Sequence, residues 1–240
     1  MTMAHIWTAV LLSAIALSSP AAAEVIDKTA TINGTKLQYR VVLPKTYDPA
    51  KAYPAVLAFP PGGQDMSMVN ATLSGNYRNE AEKRGYIVIE PAAPNEGLFF
   101  EAGGRVFPDF IVKLLADYRI EGGKFNAAGN SNGGLSAFTI ASKYPQYFWS
   151  VTGFPGFLDE ATPQQMAALG KLCIHMFAGE LDSGWPDWMK DQAAKFRGLG
   201  YNVTFAMEKG QPHVIRTLTG AGAGRLFDQF DAARQGHCAK

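Results

Sequence analysis

Cysteine is scarce in this chain of 240 residues, with only Cys173 and Cys238, and histidine occurs four times. No Cys or His cluster has the spacing of a metal site, so no metal is expected. An excess of one charge is also missing. Lys and Arg number 22 against 21 Asp and Glu, a net charge of +1, with no basic stripe to grip phosphates. Nucleic acid is therefore excluded as a partner. Internal repeats, low-complexity blocks and insertions long enough to form a lid domain are absent as well. The apolar share of 47% supports one sizeable core, and the length is short for two independently folding domains.

Long apolar runs are lacking too. The one candidate, residues 6–17, falls short of the ~20 residues that a spanning helix needs. Residues 1–23 contain no Lys, Arg, Asp or Glu, and the apolar run leads into Ser18-Ser19-Pro20-Ala21-Ala22-Ala23. That is the pattern of a secretory signal cut before Glu24. The expected product is a secreted or periplasmic single domain, residues 24–240, with no stable membrane anchor. Export makes a disulfide possible.

Short apolar runs at 41–43, 55–59 and 86–89, bounded by prolines and glycine, read as strands. A charged, Ala-containing stretch at 76–84 stops at Gly85 and reads as a helix. Further helices are expected at 107–118, 134–143, 188–199 and 224–234, and further strands at 124–128, 148–152, 172–178 and 203–207. Alternating β and α units of this length predict an α/β fold with a mostly parallel central sheet flanked by helices.

The chemistry centres on Gly129-Asn130-Ser131-Asn132-Gly133. A serine hydroxyl attacks a carbonyl only if a base takes its proton and the side chain stands clear of the backbone. A Gly-x-Ser-x-Gly turn between a strand and a helix meets the second need, because the glycines let strand and helix approach while the serine is held exposed. Ser131 is thus the candidate nucleophile. The base should come late. His5 lies in the signal, His175 inside a strand and His237 in the tail, which leaves His213, in a loop directly after the last strand. The acid belongs in the loop after the strand at 172–178, which offers Glu180, Asp182 and Asp187. Asp182 is preferred, because Asp187 belongs to the first turn of the following helix. Negative charge developing on a carbonyl oxygen needs fixed N–H donors. Asn132 supplies one. The loop Pro60-Pro61-Gly62-Gly63-Gln64 supplies the other; since proline has no N–H, the donor is Gly62, Gly63 or Gln64, with Gly63 or Gln64 expected. Phe99, Phe100, Phe154, Phe157, Trp185 and Trp188 are expected near the mouth, with Trp185 and Phe157 the candidates for substrate contact.

Four segments carry a family resemblance: Arg84-Gly85-Tyr86-Ile87-Val88-Ile89-Glu90-Pro91, Gly129-Asn130-Ser131-Asn132-Gly133-Gly134, the Gly-x-x-Asp from Gly179 to Asp182, and the late His213. Together they resemble the polyhydroxybutyrate depolymerase and feruloyl esterase group of α/β-hydrolases. The resemblance implies a Ser131, Asp182, His213 triad, no cofactor, and an ester substrate that is a small molecule or derived from a polymer. Where that group usually has His-Gly in its oxyanion loop, this chain has Pro61-Gly62. Two other readings use the same residues: an oligopeptidase-type serine hydrolase, and a non-catalytic binding protein on the same scaffold. Finally, Cys173 opens a strand at the end of the sheet away from Ser131, and the last helix runs back toward that end. A Cys173–Cys238 disulfide is expected.

Overall fold

In a computed structural model, which describes residues 23–238, the chain forms one eight-stranded sheet in the order β1-β2-β4-β3-β5-β6-β7-β8. The expected export signal lies outside the described residues, Ala23 excepted. Strands β1 (Glu24–Ile32) and β2 (Thr35–Leu43) form an antiparallel hairpin through Asn33-Gly34. Both turn residues have positive φ, 50° and 84°, the combination that matches the twist of a two-residue hairpin. After β3 (Ala55–Phe59), Asp65 caps α1 (Met66–Thr72) by accepting the Ser67 and Met68 N–H groups. A single π turn joins α1 to α2 (Arg78–Arg84), and Gly85 closes α2 in the left-handed conformation. The chain continues with β4 (Ile87–Pro91), α3 (Asp109–Asp117), β5 (Phe125–Gly129) and α4 (Asn132–Lys143). It ends with β6 (Phe148–Gly153), α5 (Pro163–Leu169), β7 (Cys173–Gly179), α6 (Trp185–Gly198), β8 (Val203–Glu208) and α7 (Gly224–Arg234).

Six strands, β4-β3-β5-β6-β7-β8, run parallel, and β2 joins β4 antiparallel. The expected α/β architecture with a mostly parallel sheet is what the chain forms, and among the described residues no large lid covers it. Alternation along each strand divides the core. Ala55, Leu57 and Phe59 of β3 pack with Phe110, Phe138 and Phe196 on one face, while Val56 and Ala58 pack with Tyr77, Leu226 and Phe227 on the other. From β3 the chain steps outward to β4, then returns to the other side of β3 at β5. The loops after β3 and β5 therefore diverge at a switch point, and the crevice between them opens at the carboxyl ends of the strands.

Cys173 and Cys238 form a disulfide with a Cα–Cα separation of 5.2 Å, spanning 65 residues. It ties the tail after α7 to the start of β7, the end of the sheet opposite that crevice. None of the described helices is long and apolar enough to cross a membrane.

Candidate active site

Ser131 sits between β5 and α4 with φ 56° and ψ −127°, a conformation that L residues rarely adopt. Its N–H donates to Pro155 O at 2.8 Å, which fixes the turn against the loop after β6. The flanking glycines are required sterically. A Cβ on Gly129 would stand 2.2 Å from Gly133 O, and one on Gly133 would stand 2.0 Å from Phe59 O. Both values are far inside contact distance, so strand, turn and helix reach this spacing only without side chains.

His213 Nε2 lies 2.8 Å from Ser131 Oγ, and His213 Nδ1 lies 2.7 Å from Asp182 Oδ2. The three residues expected as nucleophile, base and acid thus form one continuous hydrogen-bonded chain. Asp182 is enclosed, with 7% of its side chain exposed, whereas the His213 ring is 36% exposed and faces the crevice. With Nδ1–H donated to the carboxylate, Nε2 is left as the acceptor for the serine hydroxyl. Asp187 is exposed in the first turn of α6, as expected, and takes no part in this chain.

The loops that carry the acid and the base are laced together. Glu180 N–H donates to Glu208 O, Leu181 N–H to Gln211 O, and Gly210 N–H to Glu180 Oε2. Behind them, Glu208 accepts two hydrogen bonds from the Arg225 guanidinium and one from Thr217. The Arg225 contact holds the Glu208 carboxyl below the usual carboxylate range. The His213 loop is thereby anchored to α7.

Of the expected oxyanion donors, the structure removes one. The Gln64 N–H donates to Pro61 O at 3.0 Å, closing a turn, so it is not free to meet a carbonyl oxygen. Gly62 and Gly63 remain on that loop, and their N–H groups have no hydrogen-bond partner among the described residues. Asn132 begins α4 beside Ser131 with its backbone N–H in the unbonded first turn, and its side chain donates to Gly62 O at 2.8 Å. That bond couples the two donor segments. Gln64 has a different place: it is fully buried with φ 54°, and its amide donates to Pro60 O and Ser136 Oγ while accepting the Phe99 N–H. The bracing side chains of Gln64 and Asn132 escape a reading of the sequence. The one available signal was a polar residue at the end of a Pro-Pro-Gly-Gly run.

Trp185 meets the His213 ring edge to face at 5.0 Å between centroids, and Phe157 meets Trp185 at 5.2 Å. Trp188 lies beyond, 6.0 Å from Phe157, and is exposed. Phe100 lines a separate cleft beside α4. The other two aromatics belong to the core instead of the mouth. Phe99 is buried against Phe59 and Phe107, and Phe154 against Tyr77. Among the described residues no cluster of His, Cys, Asp or Glu has the arrangement of a metal site.

No protein-family model matches the chain. A curated relative, dipeptidyl-peptidase 5 of Porphyromonas gingivalis, is 28% identical over 179 residues, 70% of this chain. The match spans only 25% of that relative's length. Among solved structures, a ferulic acid esterase superposes with a TM-score of 0.69 at 18% identity, covering 89% of this chain and 98% of its own. Thermogutta terrifontis esterase 2, phosphonylated by sarin, gives a TM-score of 0.65 at 13% identity, covering 95% and 100%. At these identities the superpositions speak for architecture alone: the chain has the α/β-hydrolase fold.

Proposed function

We propose that this protein is a serine esterase that cleaves carboxylic esters through an acyl-enzyme. The observation that carries the reading is the hydrogen-bonded chain from Ser131 Oγ through the His213 imidazole to Asp182. His213 Nε2 takes the hydroxyl proton as Ser131 Oγ attacks the ester carbonyl. Asp182 holds the productive tautomer and stabilises the imidazolium as it forms. The oxyanion is met by the Asn132 N–H and one N–H of the Gly62-Gly63 pair. His213 then returns its proton to the departing alcohol, and a water activated by the same imidazole releases the acid. No cofactor enters these steps. Trp185 and Phe157 flank the group that the substrate places beside the imidazole.

Support for an ester over other acyl compounds comes from the solved structures that share the fold, a ferulic acid esterase and an esterase phosphonylated by sarin. A secreted or periplasmic location rests on the residue 1–23 pattern together with the Cys173–Cys238 bridge, since disulfides persist in oxidising compartments. One domain spanning 24–240 is part of the same reading. A peptidase reading has its own support in the dipeptidyl-peptidase 5 match, which covers a quarter of that protein.

The test is a panel of p-nitrophenyl acyl esters and methyl ferulate beside aminoacyl p-nitroanilides, with a fluorophosphonate probe run in parallel. Ester turnover and probe labelling, both lost in Ser131→Ala, are expected. Turnover of anilides alone would favour the peptidase. No labelling of the wild-type protein would mean a binding module.

A further inference from the structure

Next to the aromatic row lies a cleft of about 420 Å³ whose walls are Phe157, Leu158, Asp159, Trp188, Asp191 and Gln192. Gln192 is neutral and bonded to the facing loop. Its amide donates to Leu158 O at 2.7 Å and accepts the Leu158 N–H at 2.9 Å, clamping the loop after β6 to α6. The charged groups on the walls are therefore two carboxylates. Among the described residues neither Asp159 nor Asp191 comes within ion-pair distance of a Lys, Arg or His. Lys143 lines the adjoining cleft, where Glu101, Glu160 and Asp159 outnumber it. Trp188, 57% exposed, turns a large indole surface to solvent at the same wall, with Phe157 beside it.

Aromatic faces and uncompensated carboxylates share one preference: both attract an organic cation, the first through the ring quadrupole and the second through charge. An anionic group would be repelled, and a bare metal ion would gain nothing from the indole wall. We propose that this cleft is a subsite for an ammonium group, primary or quaternary, carried by the substrate. The proposal rests on the esterase reading for its link to the reaction, because the row His213, Trp185, Phe157 joins cleft to nucleophile. The cation then sits two ring contacts from the imidazole, so a tether of several methylenes separates it from the ester.

Two matched substrate pairs test this. With the cation in the acyl part, p-nitrophenyl 6-(trimethylammonio)hexanoate is compared with its neutral isostere, p-nitrophenyl 7,7-dimethyloctanoate. With the cation in the alcohol part, 6-(trimethylammonio)hexyl butyrate is compared with 7,7-dimethyloctyl butyrate. A ratio of kcat/KM of roughly tenfold in favour of the cationic member of one pair is expected. The ratio should shrink as salt is raised, since both carboxylates are exposed. The double variant Asp159→Asn/Asp191→Asn should bring the ratio toward one while leaving the neutral ester unchanged. Ratios near one for both pairs in the wild type, or a preference that survives the double variant, would overturn the subsite. If no ester of either kind is turned over, the esterase reading fails, and the cleft is read without chemistry. Titration with benzyltrimethylammonium should then give a saturable tryptophan fluorescence change that disappears in Trp188→Phe and weakens in the double variant. A flat titration would overturn the proposal.

Discussion

Glu180 Oε2 accepts the Gly210 N–H at 2.8 Å, so the strand end that precedes Asp182 is bonded to the loop that presents His213. The same junction is tight at the backbone. A Cβ on Gly179 would stand 2.2 Å from Pro212 O. Gly179→Ala should therefore push the His213 loop away, and a displacement of about 1 Å at a reacting group costs on the order of 10²-fold in rate. The expected signature is a fall in kcat with the fold retained, checked by steady-state kinetics beside a thermal melt.

Asp182→Asn leaves the side-chain shape nearly intact but favours the wrong imidazole tautomer. A loss of about 10⁴ in kcat is the scale known for such a change in a serine protease. Asp187→Asn should change stability by under ~1 kcal/mol through the helix dipole and leave kcat alone. The reverse ranking of the two variants, measured against the Ser131→Ala floor, would remove Asp182 from the proposed triad.

Gln64→Leu strands the Phe99 N–H, Pro60 O and Ser136 hydroxyl in a buried place. Each unsatisfied group costs about 1–3 kcal/mol, so denaturant melts should show a loss of several kcal/mol. Because these bonds hold the Gly62-Gly63 segment, kcat should also drop, by about 10 to 100-fold, with KM nearly unchanged. A destabilised variant with unaltered kcat would confine Gln64 to a packing role.

His175 is buried in β7, bonded to Thr204, and burial lowers its pKa to about 4. The unfolded chain, with an ordinary imidazole near pKa ~6.5, binds a proton that the folded state refuses over the interval between these values. Stability should therefore fall as pH drops from 6.5 toward 4, by about 2 kcal/mol between pH 7 and 5 from this group. Urea melts at the two pH values check it, and His175→Gln should show a correspondingly smaller loss.

Removing the Cys173–Cys238 bridge frees a 65-residue loop in the unfolded chain, worth about 4 kcal/mol in the chain-entropy estimate. Reduction, or Cys173→Ser with Cys238→Ser, should lower the urea midpoint by a matching amount. Activity at 25 °C without denaturant should persist, because the bridge lies at the end of the sheet away from Ser131. Loss of activity with the fold intact would mean that the bridge shapes the crevice.

What the sequence disclosed about this fold follows the range of the forces involved. The Ser131 turn, the Gly85 helix stop and the helix at 224–234 are legible because local sterics and spacing set them. Strand β1 was missed: its residues are mostly polar and exposed at the sheet edge, so no apolar run marks it. Helix α5 was missed although Thr162 and Gln165 form a capping box, and α1 although Asp65 caps it, both being only seven residues long. Helix α6 begins three residues before its expected start because Pro186 is accommodated in its first turn. The assignment of Gln64 as a donor failed for a tertiary reason. Its backbone is held at positive φ by a buried side chain bonded to Ser136 of α4 and to Phe99, two segments far away in the chain, which no window of sequence reveals.

The Cys173–Cys238 bridge makes a covalent ring of the last part of the described chain, and that ring contains Asp182 and His213 but not Ser131. Its most exposed stretch includes Arg197, Gly198, Leu199 and Gly200, where α6 gives way to β8. A protease that cuts there opens the ring without releasing a fragment. Both cut ends stay on one molecule, and β7 and β8 remain paired through the register from Ile174 to Gly179. Proteolytic damage at this surface would thus leave Asp182, His213 and Ser131 on a single tethered body, a form of tolerance to nicking that depends on the bridge remaining oxidised.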